Sequence, residues 1–403
     1  LNKKAPLFFI IITVMLDAMG IGLIMPVMPE LIREVSHTSM ADAALWGGLL
    51  ITSYAAMQFL FGPFLGNLSD RFGRRPVLIV SLVFMGLDYF LMAIAPSLWL
   101  LFIARIISGI TGATYSTAAA YLSDTSAKGE RSANFGYIGG AFGVGFVLGP
   151  AIGGILAEFG IRMPFIVAGC LALFNAAFGL FVLPETLGRD NRRKFEWSRA
   201  NPFSALLRIR NLPMIGSVMF VVLIYSTASH VYASIWSFFT IEKFAWDPKM
   251  VGISLAVYGI CAAIIQVVIL GLMIRKFGVE RTAVFGMVIS VASFVFLAFV
   301  DNSLLVFLGM PITALGAVVG PALQGMMADQ VSDDEQGELQ GVFASVIAIS
   351  AIISPLIMTC TFQQFTKTDA VYYLPGAPFL AAALLTVGAL VAFYLSRAER
   401  RVI

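Results

Sequence analysis

Gly66-Asn-Leu-Ser-Asp-Arg-Phe-Gly-Arg-Arg75 is a polar island whose reading decides the fold. Asp70, Arg71, Arg74 and Arg75 carry charge, and Gly66 and Gly73 are the glycines. On either side, runs of roughly twenty residues carry almost no charge, the length that crosses a hydrocarbon core. A cationic hinge between two such runs reads as a short loop on the cytoplasmic face of a membrane.

Composition agrees. Of 403 residues, 59% are hydrophobic and 12% charged, too little polar surface to cover a water-facing domain. The net charge of +3 gives no nucleic-acid signal. Cys170, Cys261 and Cys360 lie apart inside apolar runs, without metal-ligand spacing, and read as small core residues. The first apolar segment, to about Pro29, is too long for a cleaved signal and reads as a first transmembrane helix.

Working outward, spanning runs fall at about 7–29, 44–65, 77–95, 98–122, 134–157, 163–183, 212–239, 249–272, 281–300, 303–328, 338–362 and 371–396. The fold class expected is an all-α membrane protein with twelve transmembrane helices. The N-terminus, the loops after even-numbered spans and the C-terminus hold 20 of the 26 Lys and Arg residues. Arg33, Arg162, Lys243, Lys249 and Lys367 lie on the other side, and Arg105 is inside a span. That asymmetry predicts a multi-pass protein with both termini cytoplasmic.

The long polar segment 184–211 reads as a cytoplasmic linker between six-helix halves at 1–183 and 212–403. The halves echo each other at an offset of 205 residues. Gly66, Phe72, Gly73, Asp124, Glu130, Gly136 and Pro150 map onto Gly271, Phe277, Gly278, Asp329, Glu335, Gly341 and Pro355. Seven matches at one offset point to duplication and two pseudo-symmetric bundles. The echo is unequal, since Arg275 stands at the place of Asp70.

Three ionisable residues fall deep in the first half: Asp17, Asp88 and Arg105. Asp17 lies 13 residues past Lys4, about 20 Å along a helix. A charge at bilayer centre costs at least ~2.5–3.5 kcal/mol, so such groups face a cavity or one another. They read either as proton-coupling groups or as a structural Asp–Arg tie between helices. Gly139, Gly140, Gly143, Gly145, Gly149, Gly153 and Gly154 crowd the fifth span around Pro150, which suits close packing and a gating interface alike. Gln58, Thr111, Tyr115, His230, Trp236, Gln266 and Gln324 are candidate substrate contacts, although each alone is more often glue between helices. Thr114, Asn175 and Tyr225 belong to the same scattered polar set. With no nucleotide-binding loop, metal cluster or hydrolytic triad in the sequence, no cofactor is expected and the energy source is an ion gradient. A polytopic enzyme would need a polar catalytic cluster, and a channel would not need duplicated halves built to rock.

Gly66-x-Leu-Ser-Asp70-Arg71-x-Gly73-Arg-Arg75 resembles the helix 2–3 signature of the major facilitator superfamily. Leu101-x-x-x-Arg105-x-x-Ser-Gly109-x-Thr-Gly112 is similar to its helix-4 motif, and Gly145-x-x-x-Gly149-Pro150-x-x-Gly153-Gly154 to the helix-5 motif of its antiporters. Asp17 through Pro26-Val-Met-Pro29 resembles the helix-1 motif of twelve-helix drug exporters. The wording is most similar to the tetracycline/proton antiporters, through Leu16–Pro26, Ser69–Val77, Leu87-Asp88-Tyr89 and Arg105–Thr114. The resemblance implies two parallel repeats with substrate bound between them. It also implies export of a tetracycline–Mg²⁺ chelate in exchange for protons across the bacterial inner membrane, by a chain functional as a monomer. Asp17, Asp88, Arg105 and Gln58 stand at matching positions. Asp70 and Arg71 would act in a cytoplasmic gate, pairing with Asp124; Gly66, Gly73, Arg75, Gly149 and Pro150 are further gating candidates. The second half departs from that pattern, with Ser290 and Ala262 where the resemblance implies an acid and a histidine.

Overall fold

A computed structural model describes residues 4–112, 114–126, 131–188, 190, 192–197, 200–203, 213–332 and 335–402. Glu130, the linker cations Arg189, Arg199, Arg208 and Arg210, and the acids Asp333 and Asp334 lie outside the described residues, as does the side chain of Tyr115.

Twelve helical stretches among the described residues are long and apolar enough to cross a membrane. The protein is an all-α membrane protein, as its long apolar runs predict. In lipid each backbone N–H and C=O must be satisfied within its own segment, which helices achieve. In chain order the elements of the first half are α1 (Lys4–Ile24), α2 (Met28–Ser36), α3 (Met40–Phe72), α4 (Arg74–Ile94), α5 (Leu98–Thr111), α6 (Thr114–Thr125), α7 (Arg131–Ala157) and α8 (Met163–Val182). In the second half they are α9 (Pro213–Ser229), α10 (Val231–Phe244), α11 (Pro248–Ile264), α12 (Leu270–Phe277), α13 (Val279–Phe299), α14 (Ser303–Thr313), α15 (Val319–Ala328), α16 (Gln336–Thr366) and α17 (Ala377–Val402).

Several spans depart from the apolar runs in instructive ways. The first ends at Ile24 rather than near Pro29, because Pro26 and Pro29 interrupt the donor ladder. The chain turns there and restarts as the short amphipathic α2, which buries Leu31 and Ile32. A π turn at Ile265–Ile269 joins α11 to α12, and a 3₁₀ turn at Ala314–Val318 joins α14 to α15. The last span begins at Ala377, some residues after the apolar run does.

The described chain forms two compact units. The first comprises Leu1–His37, Ser53–Pro202 and Asp247–Ala256; the second comprises Thr38–Thr52, Phe203–Trp246 and Val257–Ile403. Relative to the sequence halves at 1–183 and 212–403, the start of α3 and the start of α11 have changed places. Small residues explain the exchange. In the first unit, a Cβ on Gly154 would come within 2.6 Å of the Pro248 carbonyl, and one on Gly252 would strike the Pro150 carbonyl. Lys249 pairs with Glu158 at 2.8 Å beside them. Nearby, burial pushes the Glu30 carboxyl up, with Arg33 opposing and Asp247 adding to the rise. In the second unit, Gly48 lies against the Thr359 side chain, and Thr52 donates to the Ile352 carbonyl at 3.2 Å.

Lipid tails are as apolar as leucine, so helices in a membrane are held by packing more than by hydrophobic drive. The α1–α7 interface shows how. Gly145, Gly149 and Gly153, spaced four apart, lie against the carbonyls of Met15, Met19 and Leu23, also spaced four apart. A Cβ on Gly149 would sit 2.5 Å from the Met19 oxygen. By contrast, Gly136, Gly139, Gly140 and Gly143 meet nothing within 4 Å, so the glycine run divides into a packing face and an open stretch.

Candidate functional site

The deep charges of the first unit gather on α1, α4 and α5. Asp88 is 2% exposed and Arg105 9%, and Arg105 Nη2 donates to Asp88 Oδ2 at 2.6 Å. The second oxygen, Asp88 Oδ1, and the Nε of Arg105 are buried with no hydrogen bond of ordinary geometry, and Ser108 is the polar side chain beside the carboxylate. A pair with an idle acceptor is costly, and it leaves a lone pair free to take a proton. Asp17 is also buried, at 9% exposure, and makes no ion pair among the described residues. One turn further along α1, Gly20 admits the Tyr89 hydroxyl, which lies 2.7 Å from where a Cβ would stand. Asp17, Asp88 and Arg105 all lie close enough to the Tyr54 and Tyr89 hydroxyls to act on them electrostatically.

Gln58 joins this cluster from α3. Its Nε2 donates to the Tyr54 hydroxyl at 3.2 Å and to the Gly112 carbonyl at 3.1 Å. The Arg105 guanidinium lies over the Tyr54 ring, 5.5 Å from its centroid. Neither Tyr54 nor Tyr89 was among the candidates from sequence. The available signal was Tyr54 at i−4 from Gln58 and Tyr89 beside Asp88.

Other candidates are placed differently. Thr111 spends its hydroxyl on the Ile107 carbonyl at 2.9 Å. His230 sits between α9 and α10 with Nδ1 2.6 Å from the Ser226 carbonyl. Trp236 is buried in an aromatic cluster with Tyr232, Phe239 and Phe379. Gln324 donates to Gln340 at 2.7 Å. Gln266 is exposed within the π turn, a distortion that recurs at functional sites. Ser290 is 4% exposed and bonded to the Tyr225 hydroxyl at 3.0 Å, and that hydroxyl donates to the Gly316 carbonyl at 2.9 Å. Where the resemblance implies an acid, the second unit has a closed neutral network pinned to the 3₁₀ turn.

The stretch Gly66–Arg75, read from sequence as a loop, is helical except at Gly73, with Gly66–Phe72 closing α3, and it is organised around Arg74, not Arg71. Arg74 reaches Asp70 and also Asp124, the latter at 3.1 Å, so it bridges the two carboxylates. Arg71 is exposed and lies over the Phe72 ring at 5.0 Å. The pairing with Asp124 expected of Arg71 is made by Arg74 instead, because Arg71 lies in the last turn of α3 while Arg74 opens α4 across the break at Gly73. Arg75 donates to the Leu180 carbonyl at 2.6 Å. Gly73 has φ +108°, a conformation that disfavours side chains.

Glu185, from the linker, completes the loop. Its Oε1 accepts from the backbone N–H groups of Arg74, Thr186 and Leu187 at 2.9, 3.0 and 3.1 Å. A carboxylate at the first turn of α4 also complements the helix dipole. Asn67 donates to the Glu196 carbonyl at 2.6 Å, and Arg193 N to the Asp70 carbonyl at 3.2 Å. Gly278, the echo of Gly73, likewise has positive φ, +82°, while Arg275 turns back to the Gly271 carbonyl at 3.1 Å. Gly73→Ala would meet both the strained φ, worth about 1–3 kcal/mol, and the Glu185 carboxylate. Loss of transport is expected, with retained insertion read by surface labelling; normal transport would show that the loop tolerates displacement of Glu185.

These features, a duplicated helical chain with a buried carboxylate cluster and a conserved-geometry hinge loop in each repeat, define a secondary transporter. The sequence profile of the Major Facilitator Superfamily matches residues 10–241 and 218–402, and the chain belongs to that family. It is 38% identical to the class C tetracycline resistance protein of Escherichia coli over 95% of this chain and 96% of that protein. It is 40% identical to the class G protein of Vibrio anguillarum over 86% of this chain and 88% of that one. The solved structure of the nucleoside transporter NupG superposes with TM-score 0.80 at 12% identity, covering 98% of this chain and 99% of that one, a likeness of fold alone.

Proposed function

We propose that this chain exports tetracycline, as its Mg²⁺ chelate, in exchange for protons across a bacterial inner membrane, with both termini cytoplasmic. The observation that carries the reading is 36–40% identity, over most of the chain, to six tetracycline resistance proteins. The buried Asp17 and the Asp88–Arg105 pair with its idle oxygen support the coupling half of the proposal. In this scheme the cytoplasm-facing state holds its carboxylates ionised and takes up the cationic chelate, with Gln58 as a polar contact. After the halves rock, protons from outside neutralise Asp17 or Asp88, and the chelate leaves. The protonated carrier returns and releases its protons inside. Mg²⁺ travels as cargo; no resident cofactor takes part, and one monomer suffices.

The test is accumulation of tetracycline in everted vesicles or proteoliposomes under an imposed pH gradient, with and without Mg²⁺. Uptake that needs both the gradient and Mg²⁺ is expected; no gradient-driven uptake of any tetracycline would overturn the reading. The neutral Ser290–Tyr225 network favours one second reading, export of a different drug by the same antiport cycle. The same vesicles with a panel of amphipathic drugs separate the two.

A further inference from the structure

Tyr54 has a role that neither the family motifs nor the site residues assign. Its two ends meet two different parts of the site. The hydroxyl accepts from Gln58, a side chain exposed on α3, and the ring face carries the Arg105 guanidinium, whose Nη2 holds the buried Asp88. Exposure falls along this row, from an exposed amide through a half-buried ring to a carboxylate with 2% exposure.

The glycines of the α5 motif make that contact possible. A Cβ on Gly109 would come within 2.6 Å of the Tyr54 carbonyl and of Met57 Cβ. One on Gly112 would lie 3.3 Å from both Gln58 Nε2 and Tyr54 Oη. The spacing Arg105, Gly109, Gly112 therefore places one cation and two gaps against a single turn of α3, the turn from Tyr54 to Gln58. Packing alone would need the gaps; it would not need a hydroxyl bonded at one end and a cation seated on the ring at the other.

We propose that Tyr54 is the positioning residue that joins drug occupancy at Gln58 to the Asp88–Arg105 pair. A ligand that takes the Gln58 amide removes a donor from the Tyr54 hydroxyl. The ring is then free to tilt about its side-chain torsions, and its tilt moves the face on which the guanidinium rests. With the hydroxyl held by Gln58, the ring shares the guanidinium with Asp88 and leaves the carboxylate able to hold a proton; with the ring freed by drug, the guanidinium settles wholly on Asp88 and the proton is expelled. This inference rests on the antiport reading and supplies the joint that reading requires.

The experiment uses purified full-length protein in weakly buffered solution. Tetracycline–Mg²⁺ is added, binding is followed by fluorescence and released protons by a pH dye, and the ratio is protons per bound drug. Tyr54→Phe keeps the ring and removes the hydroxyl. Gly112→Ala keeps Tyr54 but crowds both its hydroxyl and Gln58, and it serves if Tyr54→Phe fails to fold. Either variant is expected to bind drug while releasing few or no protons per bound drug, the result of two sites that are no longer linked. A wild-type ratio in both variants overturns this proposal alone. A wild type that binds drug and releases no proton overturns the antiport reading and the proposal with it.

Discussion

Asp17→Asn should reduce gradient-driven tetracycline uptake to the level of protein-free liposomes while leaving the protein folded and inserted. The reason lies in what surrounds the carboxylate. Asp17 is 9% exposed on α1, has no cation paired to it among the described residues, and shares its surroundings with the Tyr89 and Tyr54 hydroxyls. An ionised group in that position costs at least ~2.5–3.5 kcal/mol in a bilayer interior. Evolution of a purely structural site would remove such a cost, since asparagine fills the same volume and keeps a carbonyl acceptor. The substitution therefore deletes one property, the ability to take and give a proton, and little else. Thermal unfolding in detergent should match or exceed the wild type. Undiminished transport under a pH gradient, with normal unfolding, would sink the coupling role of Asp17.

Much of the architecture was legible in the chain. Apolar runs located the spans because a membrane helix must satisfy its backbone internally, leaving side-chain hydrophobicity as the only variable. The offset of 205 residues announced duplication, and the positive φ of both Gly73 and Gly278 shows the two hinge loops sharing a backbone conformation. What the sequence could not supply was partnership. Arg71 and Arg74 are chemically alike, and only the helix phase across Gly73 decides that Arg74 faces Asp124. Glu185 read as one charge in a polar linker, although it receives three backbone donors. Tyr54 looked like another aromatic on an apolar helix. Its place depends on gaps left by Gly109 and Gly112 half a hundred residues away. The exchange of the starts of α3 and α11 between the two compact units was equally hidden, since small residues at 154 and 252 mark close approach without naming the helix approached.

The Asp88–Arg105 pair admits a structural role and a functional one, and a pair of variants separates them. Arg105→Ala should lower stability by about 3–5 kcal/mol, because it strands a carboxylate whose side chain is fully buried. It also removes the cation from the Tyr54 ring. Loss of transport in that variant alone would say little, since instability accounts for it. The double variant Asp88→Asn/Arg105→Gln carries no charge to strand: the Gln amide stops short of the place of Arg105 Nη2, but neither group is left ionised in the interior. Buried ion pairs replaced by neutral groups of similar size are often neutral in stability or better. Unfolding of the double variant should therefore return toward the wild-type midpoint. If the pair only ties α4 to α5, transport should return with it. If Asp88 Oδ1, idle beside its salt-bridged twin, is where a proton lands, transport driven by a pH gradient should stay absent while tetracycline still binds. We expect the second result: a bilayer-buried pair that left both an acceptor and a donor unsatisfied would be a poor choice of tie, and a neutral pair of the same shape would hold the helices at lower cost.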